Sequence, residues 1–160
     1  MDTIKISPDE VSLSRMRTSV LVYGTVCCAL YIVFLLVMKI FGFMQVTELR
    51  MVNYVILCLV SFYQIKRMIK QSHTYVPFLG VYGTVLFTGT WSFFLFSVFL
   101  LVYSRFNIEL SDLFMKATHG YFSVMPSIVI FFEGTAASII VALINMQYFR
   151  RYEEGEKKPE

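Results

Sequence analysis

Of the eleven acidic residues in the chain, only Glu133 lies well inside an apolar run. It stands about eight residues into the last such run, roughly 12 Å deep at 1.5 Å per residue of helix. An ionisable group at that depth is expensive and marks a functional suspect. Three kinds of chemistry fit it: a structural acid hydrogen-bonded to a neighbouring helix, a contact to a partner subunit or lipid group, or a proton or ion relay. No second acid or base stands beside it in the sequence, which argues against a self-contained relay. Gly134, Ser138 and Ala142 follow at spacings of four. Such a stripe of small residues lets another helix approach closely, in the same chain or in another. Thr135 and Asn145 add hydrogen-bonding capacity. On the third apolar run, Gly83 and Gly89 are the matching small positions, and Thr84, Thr88, Thr90 and Ser92 are natural partners for Glu133 or the stripe.

Other chemistry is thinly represented. His73 and His119 are the two histidines. The topology derived below puts them on opposite sides of the membrane, where they cannot share one haem or metal within a chain. Cys27, Cys28 and Cys58 form neither a Cys-x-x-Cys motif nor an even disulfide framework; they read as small, soft packing residues. No glycine-rich phosphate loop, His-Glu-x-x-His or nucleophile beside a base and an acid is present. The sequence therefore points to a non-enzyme without cofactor or metal.

The elements that hold these residues follow from hydropathy. Hydrophobic residues make up 57% of the 160, and charged residues only 16%. A soluble domain carries roughly a quarter charged residues, so this chain requires lipid as its solvent. The net charge of +3 comes with no arginine-rich or basic-aromatic motif and does not suggest nucleic acid. Four runs are long enough to span, at about 18–43, 49–66, 76–104 and 125–149. The second is the shortest, with Asn53 near its start. The first is too long for a signal-peptide core and reads as a retained span. The fold class is an all-α membrane protein with four transmembrane helices.

Flanking segments complete the layout. Residues 1–17 are polar. Ser7-Pro8-Asp9-Glu10 reads as a helix start, with Ser7 capping, Pro8 at the first helical position and Glu10 closing a capping box; a short surface helix is expected there. In the loop 105–124, Leu110, Leu113, Phe114 and Ala117 fall on one face at i, i+3, i+4 and i+7. This predicts an amphipathic helix over 107–119, lying at the interface or docking on a partner. The charged tail 150–160 is expected to be disordered.

Ten basic residues fall in the N-terminal segment, the middle loop and the tail, and four on the opposite side. The positive-inside rule then places both termini in the cytoplasm and the amphipathic stretch outside. Tyrosines near both boundaries resemble interfacial belts, with Tyr54, Tyr103 and Tyr121 on the outer side. Val22-Tyr23-Gly24-Thr25-Val26 recurs as Val81-Tyr82-Gly83-Thr84-Val85; the rest of the two halves does not align, and chance in a biased composition explains the echo best.

Two spans joined to a third that begins Tyr75-Val76-Pro77-Phe78-Leu79-Gly80, then an outer amphipathic stretch and a last span running from Phe131-Phe132-Glu133-Gly134 to Arg150-Arg151, form a recognisable layout. It resembles the small four-span inner-membrane proteins of Bacteroidota that are catalogued only as a domain of unknown function. Members often carry a proline in the outer stretch, and this chain has none between its third span and Pro126. The resemblance implies an inner-membrane location and no particular activity. With small size and the stripe, it points to an accessory subunit of a larger membrane complex, in contact with lipid and other integral subunits. The alternative is a small homo-oligomeric transporter or channel with Glu133 in its path.

Overall fold

In the computed structural model, which describes residues 8–43, 51–71, 78–106 and 125–155, four helices form an up-down bundle. They are α1 (Pro8–Ile40), α2 (Met51–Gln71), α3 (Phe78–Phe106) and α4 (Met125–Gly155). Each contains a stretch long and apolar enough to cross a membrane: Met16–Ile40, Met51–Ile69, Leu79–Phe106 and Met125–Phe149. Helices are the expected solution, because lipid offers no partner for backbone polar groups and a helix satisfies them internally.

Three boundaries differ from those read in the sequence. No short surface helix is separate from the first span; α1 runs unbroken from Pro8. The second helix continues through Lys66-Arg67 to Gln71, since nothing there breaks a helix and two basic residues favour its C-terminal end. The fourth helix carries on to Gly155, so the start of the tail is helical where disorder was expected: no proline lies between Pro126 and Pro159. The predicted interfacial helix, with Leu110, Leu113, Phe114 and Ala117, lies outside the described residues.

The far end of α1 is closed by Gly42. Phe43 N–H donates to Met38 C=O at 3.0 Å, and Gly42 N–H to Lys39 C=O at 3.1 Å. This is a Schellman cap, and it requires the left-handed backbone of Gly42, whose φ is +73°.

Around the bundle, α3 makes its most extensive contacts with α4 and then α1, while α2 closes the other side against α1 and α4. Each helix offers one buried line at helical spacing. These are Gly24, Cys27, Cys28 and Tyr31 on α1, and Leu57, Ser61, Gln64 and Ile65 on α2. On α3 they are Val85, Thr88, Ser92, Phe96 and Leu100, and on α4 Gly134, Ser138, Val141, Ala142 and Asn145. The distribution inverts that of a soluble protein. Among the described residues, nine polar side chains are buried while thirty large apolar ones are exposed. Hydrocarbon surroundings explain both facts: apolar faces lose nothing in lipid, and polar groups are better placed inside.

Candidate functional site

The small stripe of α4 is consumed inside the bundle. Gly134 lies under the ring of Phe93: a Cβ on Gly134 would fall 2.2 Å from Phe93 Cγ. One turn on, Gly89 of α3 meets Ser138, whose Cβ would be 2.6 Å from a Cβ at position 89. Ala142 and Asn145 continue the same buried line. The hydroxyls along α4 bond back to their own helix. Ser138 donates to Gly134 C=O at 2.7 Å and Thr135 to Phe131 C=O at 2.8 Å. Asn145 Nδ2 likewise donates to Val141 C=O at 3.0 Å. With its polar atoms turned inward in this way, the stripe presents a smooth, small surface that α3 can approach.

Gly83 does not belong to this contact. A Cβ there would meet nothing within 4 Å among the described residues. It lies six residues from Gly89, so on a 3.6-residue helix the two point in very different directions. Gly24, at the equivalent position in the Val-Tyr-Gly-Thr-Val echo, is the tight one. A Cβ on Gly24 would stand 2.8 Å from Trp91 Cδ1 and 3.2 Å from the Thr88 carbonyl oxygen. Spacing alone does not separate these two glycines; only the neighbour opposite each does.

Phe93 is the hub of the packing. Its ring lies 5.0 Å from that of Tyr31 on α1 and 6.2 Å from that of Tyr54 on α2, and it covers Gly134 on α4. One side chain of α3 therefore touches all three other helices. Tyr54 then reaches past it to donate its hydroxyl hydrogen to Glu133 Oε1.

The sequence led us to expect Glu133 to face protein and bond to a Thr, Ser or backbone carbonyl. The structure does give Glu133 a hydrogen bond from a neighbouring helix, but not the expected kind of partner and not a covered side chain. Its partner is the phenol of Tyr54, and its side chain is exposed on the outside of the bundle. Successive residues on a helix are 100° apart. With Gly134 turned onto Phe93, Glu133 falls at the rim of the α2–α4 contact. Its neighbours Val129 and Phe132 are exposed apolar residues. Tyr54 lies only three residues from the start of α2, and Glu133 eight residues from the start of α4.

A second polar feature went unread in the sequence. Gln64 is fully buried. Its Nε2 donates to Ser19 Oγ at 3.1 Å, and its Oε1 accepts from Thr88 Oγ1 at 3.0 Å. The amide joins α1, α2 and α3 in one chain of hydrogen bonds. A glutamine within an apolar run was the available signal, masked by its nearness to Lys66-Arg67. Of the other expected α3 partners, Thr84 and Ser92 bond to carbonyls of their own helix. At the far end Lys39 Nζ donates to the Tyr103 hydroxyl at 3.2 Å, joining α1 to α3.

Among the described residues no group of three or more His, Cys, Asp and Glu side chains is placed to hold a metal; His73 and His119 lie outside them. Comparison with protein-family models, characterised proteins and solved structures finds no match.

Proposed function

We propose that this chain is a non-catalytic accessory subunit of a larger membrane assembly and that Glu133 marks the face on which a partner helix docks. The observation that carries the reading is the placement of Glu133. It stands within the last apolar run on the outside of the bundle, among exposed apolar residues, with one hydrogen bond, from Tyr54, among the described residues. A charged acid turned to hydrocarbon costs on the order of 2.5–3.5 kcal/mol on insertion scales. A donor from an adjoining subunit removes that cost. The stripe of Gly134, Ser138 and Ala142 supports the same division of labour: it holds α4 on α3, leaving the Glu133 rim for contact with another chain.

The four-span layout resemblance favours the bacterial inner membrane as the location. The ten-to-four distribution of basic residues favours cytoplasmic termini. A second reading, a homo-oligomeric transporter or channel, gains from the same exposure: an acid outside the bundle would line a path between copies and not through one.

Purification in mild detergent, followed by mass spectrometry of co-eluting chains, separates the two readings. Stoichiometric foreign subunits that are lost in Glu133→Leu and kept in Glu133→Gln support the accessory role. A pure homo-oligomer that moves ions or protons, and fails to do so in Glu133→Gln, supports the other. Labelling of single cysteines introduced at positions 70, 112 and 157 tests the orientation: only position 112 should react from outside, and external labelling of position 157 would overturn it.

A further inference from the structure

At the end of the bundle where α1 begins and α4 ends, the groove between α1 and α2 holds a cationic and aromatic cluster that the proposed function leaves unused. Arg67 is exposed, and its Nη1 donates to the Tyr23 hydroxyl at 3.2 Å across the groove. The rings of Tyr23 and Tyr63 lie 6.3 Å apart. Lys66 is exposed beside Arg67, and the Ser19–Gln64 hydrogen bond sets exposed Arg17 at the level of Lys66, each being two residues from that bond. The described charged side chains of the cluster, Arg17, Lys66 and Arg67, are all cationic.

Its level in the membrane matters. Arg17 is one residue inside the span that begins at Met16, and Arg67 two residues before the end of the span that closes at Ile69. Taken as membrane spans, these limits set both residues at headgroup height. Helical side chains lean toward the N-terminus of their own helix. Tyr23 accordingly leans out toward this boundary and Arg67 leans in, which is how residues at different heights meet. Deeper in the membrane, Val26 and Leu30 continue the Tyr23 face of α1, and Val55 and Leu59 run at four-residue spacing from Tyr63 on α2; all four are exposed. An exposed guanidinium at headgroup height, steadied by the Tyr23 hydroxyl and with open apolar tracks beneath it, is complementary to an anionic headgroup joined to acyl chains.

We propose that the α1–α2 groove binds an anionic phospholipid. Its phosphate is held by Arg67 and Lys66, Tyr23 orients the guanidinium, and the acyl chains lie along Val26, Leu30, Val55 and Leu59. The inference does not depend on the partner reading of Glu133, nor on which side of the membrane this end faces.

The test is native mass spectrometry of the intact chain released from detergent containing phosphatidylglycerol or phosphatidylcholine. The wild type should retain phosphatidylglycerol in preference to phosphatidylcholine. Each cation removed should weaken retention about fivefold, so Lys66→Gln combined with Arg67→Gln should weaken it about 25-fold. Arg105→Gln, a basic change at the other end of α3, should leave it unchanged. Lys66→Gln alone, at an exposed position, serves as a second variant should the double substitution impair folding. Equal retention of the two lipids, no loss in the variants, or an equal loss in Arg105→Gln would overturn the proposal. Displacement of the lipid by millimolar inorganic phosphate would also overturn it, by showing a site for the free anion.

Discussion

Gly89→Ala gives the most direct test of how the bundle is held together. A Cβ at position 89 would fall 2.1 Å from Ser138 Oγ and 2.6 Å from Ser138 Cβ, with Leu57 Cδ2 at 3.3 Å. Rotating the serine moves only its Oγ; its Cβ is fixed to the backbone of α4. Carbon atoms in contact sit about 3.5–4.0 Å apart, so α3 and α4 must separate locally by about 1 Å. Overpacking of this kind costs about 1–3 kcal/mol. Alanine returns up to ~1 kcal/mol through its higher helix propensity. A net loss of about 1–2 kcal/mol is expected, read as a lower midpoint in reversible unfolding from mild to denaturing detergent, followed by circular dichroism. Ser138→Gly removes both clashing atoms. It also leaves no orphaned partner, because the Ser138 hydroxyl bonds only to the Gly134 carbonyl of its own helix. The double variant should therefore recover most of the loss, with a coupling energy of about 1 kcal/mol or more. Stability of Gly89→Ala within ~0.5 kcal/mol of wild type, or failure of Ser138→Gly to rescue it, would show that this contact does not set the α3–α4 distance.

Two further glycines give opposite expectations in the same assay: Gly24→Ala should destabilise by about 1 kcal/mol or more because Trp91 and the Thr88 carbonyl oxygen crowd it, whereas Gly83→Ala, with no described neighbour in reach, should be neutral or stabilise by about 0.5–1 kcal/mol. Replacing Gln64 by Leu removes both inter-helix bonds at once and should cost about 1 kcal/mol, near the upper part of what such bonds contribute in membranes; an unchanged midpoint would show that the network is incidental. Tyr54→Phe deletes the one described donor to Glu133, so any assembly that depends on Glu133 should respond to Tyr54→Phe as well, while a partner bound with unaltered affinity would place Tyr54 outside that contact.

How much of this was legible in the residues follows from the range of the forces involved. Four spans and their approximate positions needed only the length of each apolar run, because in lipid the backbone must close its own hydrogen bonds and the helix does so locally. The place of Glu133 within the last apolar run and the stripe of Gly134, Ser138 and Ala142 along one helix likewise follow from counting. Rotation and neighbours do not. Gly24, Gly83, Gly89 and Gly134 are the same residue type in similar apolar settings, yet Phe93, Ser138 and Trp91 crowd three of them and leave Gly83 open. Tyr54 became the partner of Glu133 through a contact spanning 79 positions in the chain, and Gln64 found its two partners 45 and 24 positions away. Periodicity along a helix identifies a face. The residue opposite it is chosen by the packing of four helices at once, and that choice is a property of the tertiary structure.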